Sequence, residues 1–122
     1  MKLLVGTDIE SIERFQKLMH TKKKVLKSIF FDSEYNYAFN KSSPEQTLTG
    51  IWCAKEAVIK SFSQIKLLTT KEVEIICNTN EAPKVIINSS IEKALNYDLS
   101  ISISHTKNFA TAIALLSLYE DR

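Results

Sequence analysis

The sequence predicts an α+β protein, a mostly antiparallel sheet packed on one long central helix. Three observations carry that prediction. The segment "SSPEQTLTGIWCAKEAVIKSF" repeats its apolar residues at helical spacing over a long stretch. "LSISISHT" alternates strictly, with Leu99, Ile101 and Ile103 against Ser100, Ser102 and Ser104, the period of a strand with one buried face. Two apolar runs, "EVEIICN" and "KVIIN", flank "TNEAP", whose residues favour a hairpin turn.

The elements follow in chain order. Residues 2–9, "KLLVGTDI", read as a buried strand that closes at its carboxylates. "ESIERFQKLMH" spaces Ile12, Phe15, Leu18 and Met19 as a helix starting near Ser11, which "TKKK" ends or loosens. "FFDSEYNYAFN" reads as a short helix capped by Asp32 or Ser33, with Tyr35 and Phe39 four apart. The long helix takes Ser43 as N-cap, Pro44 at its first position and Gln46 to complete a capping box, and it reaches Phe62. Leu48, Ile51, Trp52, Ala54, Val58, Ile59 and Phe62 make it central and substantially buried. Gly50 inside it costs about 1 kcal/mol relative to alanine, which a close backbone approach would explain. "SSIEKALN" reads as a short helix capped by Ser89 or Ser90, and "ATAIALLSLYE" as a last strand.

A length of 122 residues predicts a single domain spanning 1–122, and 44% apolar residues supply its core. No run is long enough for a transmembrane helix, and "MKLLVGTDIE" reaches carboxylates too soon for a signal peptide. A cytoplasmic location without membrane association is expected. Cys53 and Cys77 form no CxxC pair and have no histidine-rich companion, so they read as small buried hydrophobes rather than zinc ligands. Net charge is only +2, yet residues 11–30 hold Arg14, Lys17, Lys22, Lys23, Lys24 and Lys27 against Glu13 alone. That run is either a solvated face or a surface for an anionic partner. It lacks the interleaved aromatics of a single-stranded nucleic-acid binder, so no nucleic-acid partner is expected.

Three features could carry chemistry. Asp8 and Glu10 are two apart on one strand, hence on one face, where like charges cost energy unless something positive lies between them. Asp8 is either a cap for the next helix or a cation ligand. Glu56 and Lys60 are four apart on one helix face, a spacing common in exposed pairs but placed here in an apolar stretch where a charge pair is desolvated. His105 ends the alternating strand, where a histidine is commonly structural or exposed. Together, Asp8, Glu10 and Glu56 could form an all-oxygen Mg²⁺ site, with Lys60 and His105 beside it for phosphates. Such a set suits displacement at phosphorus.

"GTDIESIERF", "WCAKEAVIK" and "SISHT", in this order and spacing, resemble the 4′-phosphopantetheinyl transferases, and the short length resembles their holo-[acyl-carrier-protein] synthase branch. The resemblance runs from about residue 3 to about residue 116. It implies the 4′-phosphopantetheinyl transferase fold and transfer of phosphopantetheine from coenzyme A to a carrier-protein serine, releasing adenosine 3′,5′-bisphosphate. It implies Mg²⁺ held by Asp8 and Glu56, with Glu56 or a water on the metal deprotonating the serine. Lys60 matches the lysine that neutralises or protonates the leaving phosphate, and His105 and Thr106 match contacts to the coenzyme's phosphates. Arg14 matches a docking arginine for the acidic acyl carrier protein, with Lys17 close by. A homotrimer with sites between subunits is also implied.

Several positions depart from that pattern. No glycine follows Lys60 in "KSFSQIKLLTTKEV", Ile51 and Trp52 precede "AKEA", and "NEAPK" lacks the usual glycine before its proline. Glu10 stands where short members carry an apolar residue, an acidic choice found in the larger, surfactin-synthetase-activating type. The missing glycines motivate a second reading, a relative that binds carrier protein or nucleotide without efficient transfer. A basic nucleic-acid module, resting on residues 11–30 alone, ranks third.

Overall fold

The computed structural model describes residues 1–120, except the side chain of Glu92. The chain runs β1 (Lys2–Ser11), α1 (Ile12–Thr21), α2 (Lys23–Ile29), α3 (Asp32–Phe39), α4 (Pro44–Phe62), a 3₁₀ turn (Thr70–Glu72), β2 (Val73–Ile76), β3 (Lys84–Ile87), α5 (Ile91–Ala94), β4 (Tyr97–His105) and β5 (Phe109–Leu118). β1, β5 and β4 form an antiparallel sheet in that order, and β2 and β3 form a separate antiparallel hairpin. The α+β class with one dominant helix therefore holds.

α4 lies across the inner face of the three-stranded sheet, and the row facing it on β5 is Ala110, Ala112, Ala114 and Leu116, all buried. Small residues there bring the helix axis close to the sheet. The closest approach is at Gly6 of β1, where a Cβ would stand 1.9 Å from the carbonyl oxygen of Ala57. Only glycine permits that contact. Gly50 meets β4 less tightly: a Cβ there would lie 3.0 Å from Ile103 Cγ2, a side-chain methyl rather than the backbone approach expected of it.

Four local expectations are corrected. β1 does not close at Asp8 but continues to Ser11, so both carboxylates lie within the strand. Residues 23–29 form a second helix after a break at Lys22, where "TKKK" suggested only an ending. Asp32 and Ser33 lie at the start of α3 rather than capping it; the Glu34 carboxylate caps the helix from inside, accepting the Phe31 N–H at 2.8 Å. The capping box at α4 is also absent: Ser43 donates its hydroxyl to Glu45 at 2.7 Å instead of holding a helix amide. Pro44 does occupy the first helical turn, and the Tyr35 and Phe39 rings do meet, 4.4 Å apart.

Glu34 and Lys55 form an ion pair at 2.8 Å with both side chains fully buried. Lys55 also donates to the carbonyls of Thr70 at 2.8 Å and Val73 at 2.5 Å, while Glu34 accepts the Ile75 N–H at 2.8 Å. All three ammonium hydrogens are used. The pair bolts α3 and the β2 entrance to the back of α4, leaving the opposite side of that helix to the sheet.

Candidate active site

β1 alternates Leu4, Gly6, Asp8 and Glu10 inward with Leu3, Val5, Thr7 and Ile9 outward. The glycine contact at Ala57 thus presses the inward row against α4 one strand step before Asp8. There Lys60, in the last turn of α4, donates to Asp8 Oδ1 at 3.3 Å and to the Thr7 carbonyl at 2.9 Å. Asp8 is largely covered, with 16% of its side chain exposed against 55% for Lys60. Thr111 on β5 donates its hydroxyl to the Asp8 carbonyl at 2.8 Å, fixing the backbone beneath the carboxylate.

Glu56 lies one turn before Lys60. Its carboxyl is raised above the usual glutamate range, first by burial, then by the charge of Asp8, with Lys60 acting in the opposite direction. The lysine makes its ion pair across to Asp8 on the strand, which its spacing from Glu56 along the helix did not reveal. Cys53, one turn further back, donates to the Ala110 carbonyl at 3.4 Å. Its thiol is pushed up to about 12 by burial first and then by Asp8, Glu10 and Glu56. The thiol is therefore neutral where it meets β5. Cys53 is fully buried in the core, as the sequence predicts.

The remaining site residues are spread along one end of the sheet. Glu10 is engaged by Arg14, whose Nη1 donates to Oε2 at 2.6 Å. Among the described residues no three histidine, cysteine or acidic side chains are gathered as a ready metal cage. Asp8 and Glu56 still suit Mg²⁺, which takes one or two carboxylates and completes its shell with water and substrate phosphates. The raised carboxyl of Glu56 beside Asp8 marks a place where added positive charge is favourable. His105 shares a row with Ala110 and Glu10 across the sheet, about 10 Å from Glu10 by two strand spacings. It lines a cavity of about 330 Å³ with Gln46, Gly50, Cys77, Pro83 and Ile103. Thr106 builds the β4–β5 turn: its hydroxyl accepts the Phe109 N–H at 3.1 Å and the Asn108 N–H at 3.3 Å. Lys17 is exposed and pairs with Glu13 at 3.3 Å.

Residues 4–114 match the model of the 4′-phosphopantetheinyl transferase superfamily. A holo-[acyl-carrier-protein] synthase of Thermodesulfovibrio yellowstonii is 35% identical over 114 residues, 93% of this chain and 96% of that protein. One from Chlamydia trachomatis is 36% identical over 115 residues, 91% of this chain and 96% of the relative. Among solved structures, an ACPS–CoA complex from Chronobacterium ammoniagenes superposes with a TM-score of 0.83 at 25% identity, covering 98% of this chain and all of the other. The Helicobacter pylori holo-[acyl-carrier-protein] synthase in complex with coenzyme A gives 0.79 at 28% identity, covering 93% of this chain and 100% of that one. The strand-to-helix junction of Asp8, Glu56 and Lys60 thus sits in a chain that belongs to the 4′-phosphopantetheinyl transferase superfamily, as an enzyme of the holo-[acyl-carrier-protein] synthase type.

Proposed function

We propose that the protein transfers 4′-phosphopantetheine from coenzyme A to a serine of apo acyl carrier protein in a Mg²⁺-dependent reaction that releases adenosine 3′,5′-bisphosphate. The observation that carries this reading is Lys60 meeting Asp8 at 3.3 Å beside a glutamate whose carboxyl is raised. Asp8 and Glu56 are the residues that would hold Mg²⁺, which when bound neutralises the diphosphate and orients it for in-line displacement.

Glu56 takes the proton of the acceptor serine, and a carboxyl raised by burial is a stronger base than an ordinary glutamate. The serine oxygen bonds to the β-phosphorus, the bond from that phosphorus to the bridging oxygen breaks, and the electron pair leaves on adenosine 3′,5′-bisphosphate. Lys60, more than half exposed and on a flexible stem, turns from Asp8 to neutralise that leaving oxygen. The cavity at His105 is assigned to the nucleotide end of the coenzyme, with Thr106 holding the adjoining turn. Arg14 and Lys17 on α1 are assigned to docking the acidic carrier.

Within one chain α4 separates these parts, with Asp8 and Lys60 on its β1 side and the His105 cavity on its β4 side. That supports a complete site built between copies. The outer face of the sheet supports it too, exposing Leu3, Val5, Ile9, Phe109, Ile113 and Leu115 together. Contiguous apolar surface of this kind marks an interaction face, and a homotrimer is the assembly we assign to it. No described helix is long and apolar enough to cross a membrane, and we assign the reaction to the cytoplasm.

The test is incubation of the purified protein with coenzyme A, Mg²⁺ and apo carrier protein, followed by mass spectrometry of the carrier. The carrier is expected to gain one phosphopantetheine. Unchanged mass for several carriers, with the protein shown to be folded, overturns the proposal. Asp8→Ala and Glu56→Ala are each expected to abolish the gain while circular dichroism shows a retained fold.

A further inference from the structure

Glu10 and Arg14 make a contact that the transfer step itself does not use. Both oxygens of Glu10 are engaged: Oε2 accepts from Arg14 Nη1 at 2.6 Å, and Oε1 accepts the Ser11 N–H at 2.9 Å. The two residues differ in exposure, with 19% of the Glu10 side chain exposed against 59% for Arg14. β1 passes into α1 without a loop, since Ser11 ends the strand and Ile12 begins the helix. The guanidinium on the helix surface therefore reaches back onto a carboxylate in the inward row of the strand.

That geometry gives each partner a second claimant. Glu10 lies two residues from Asp8 on the same face of β1, largely covered as Asp8 is. Arg14 projects from the same helix surface as Lys17, where an acidic surface would meet it. A cation that recruits Glu10 competes with the Arg14 guanidinium for the negative charge of the carboxylate. An acidic partner that recruits Arg14 leaves a largely covered carboxylate without its counter-charge, on the strand face that also carries Asp8. Each event favours the other.

We propose that the Glu10–Arg14 ion pair is a latch coupling carrier docking to metal binding, closed in the free protein and opened from either side. This rests on the transferase reading and concerns the regulation of that same site. Linkage requires the coupling to be reciprocal: Mg²⁺ tightens carrier binding by the factor by which the carrier tightens Mg²⁺ binding. An ion pair with one exposed partner sets that factor at about two- to fivefold at low salt, falling as salt is added.

The experiment is calorimetric titration without coenzyme A, so that no turnover occurs, using apo acyl carrier protein and Mg²⁺ as the two probes. In the unaltered protein, carrier affinity is expected to rise about two- to fivefold with Mg²⁺. In Glu10→Gln the ratio is expected to fall to one, while carrier binding without Mg²⁺ tightens because Arg14 is released. In Arg14→Gln, Mg²⁺ alone is expected to bind more tightly than in the unaltered protein. Thermal melts establish that both variants fold. A ratio of one in the unaltered protein, an unchanged ratio in Glu10→Gln, or weaker Mg²⁺ binding in Arg14→Gln overturns the latch. Mass spectrometry separates the two failures: a carrier still modified in the presence of coenzyme A leaves the transferase reading standing without the latch. A carrier that neither binds nor gains mass removes both.

Discussion

Glu56 sits between a carboxylate and an ammonium that act on it in opposite directions. Burial is the largest cause of its raised carboxyl, Asp8 adds to it, and Lys60 opposes it. In the metal-free protein, Asp8→Asn should lower the Glu56 titration midpoint and Lys60→Met should raise it, both read by carbon NMR of the side-chain carboxyl. The same shift has a consequence for stability. A carboxyl raised in the folded state binds its proton more tightly there than in the unfolded chain. Its favourable contribution is full below the ordinary glutamate range and is lost as pH rises through the folded value. Glu56→Gln should therefore raise Tm more at pH 8 than at pH 4, measured by calorimetry. A gain in stability at the cost of activity is the usual signature of a carboxylate placed for chemistry.

At the scale of elements, two contacts set the position of α4. On the sheet side Gly6 lets β1 touch the Ala57 carbonyl, and any Cβ there would collide with backbone. Gly6→Ala should destabilise the fold by about 3 kcal/mol or more, the upper end for overpacking, because no side chain can yield. Denaturant unfolding measures that loss, and any folded fraction should show Asp8 drawn away from Lys60. On the opposite side, the Glu34–Lys55 pair ties the helix to α3 and β2. Glu34→Ala leaves a buried ammonium without its counter-charge, a change that costs about 3–5 kcal/mol and is read by the same unfolding. Burial raises the Glu34 carboxyl and lowers the Lys55 ammonium, each partly restored by the other.

For the whole molecule, the outward face of β1 and β5 is the surface we assign to contacts between copies. Val5 and Leu115 are paired across the strands, Ile113 follows on the same face, and all three are exposed. A double change, Val5→Lys with Ile113→Lys, touches no residue of the inward row and should leave the monomer folded. If the proposed trimer forms through this face, sedimentation should show the double variant as a monomer against a trimer of the unaltered protein, and transfer should fall steeply. Retained transfer by a monomer would place the whole site within one chain.

Local chemistry fixed what could be read from residues close together in the chain. Pro44 and the apolar stripe placed the long helix, serine–isoleucine alternation placed β4, and the motifs around Asp8, Glu56 and His105 identified the family. Those signals rest on backbone periodicity and on donor types, which a sequence states directly. Contacts between distant segments were not legible in the same way. Lys60 pairs with Asp8 rather than Glu56, Lys55 is buried against Glu34, and Glu10 belongs to Arg14 in the free protein. Each depends on how closely α4 approaches β1 or on how a strand turns directly into a helix. Those quantities come from packing the whole core, which no local spacing encodes.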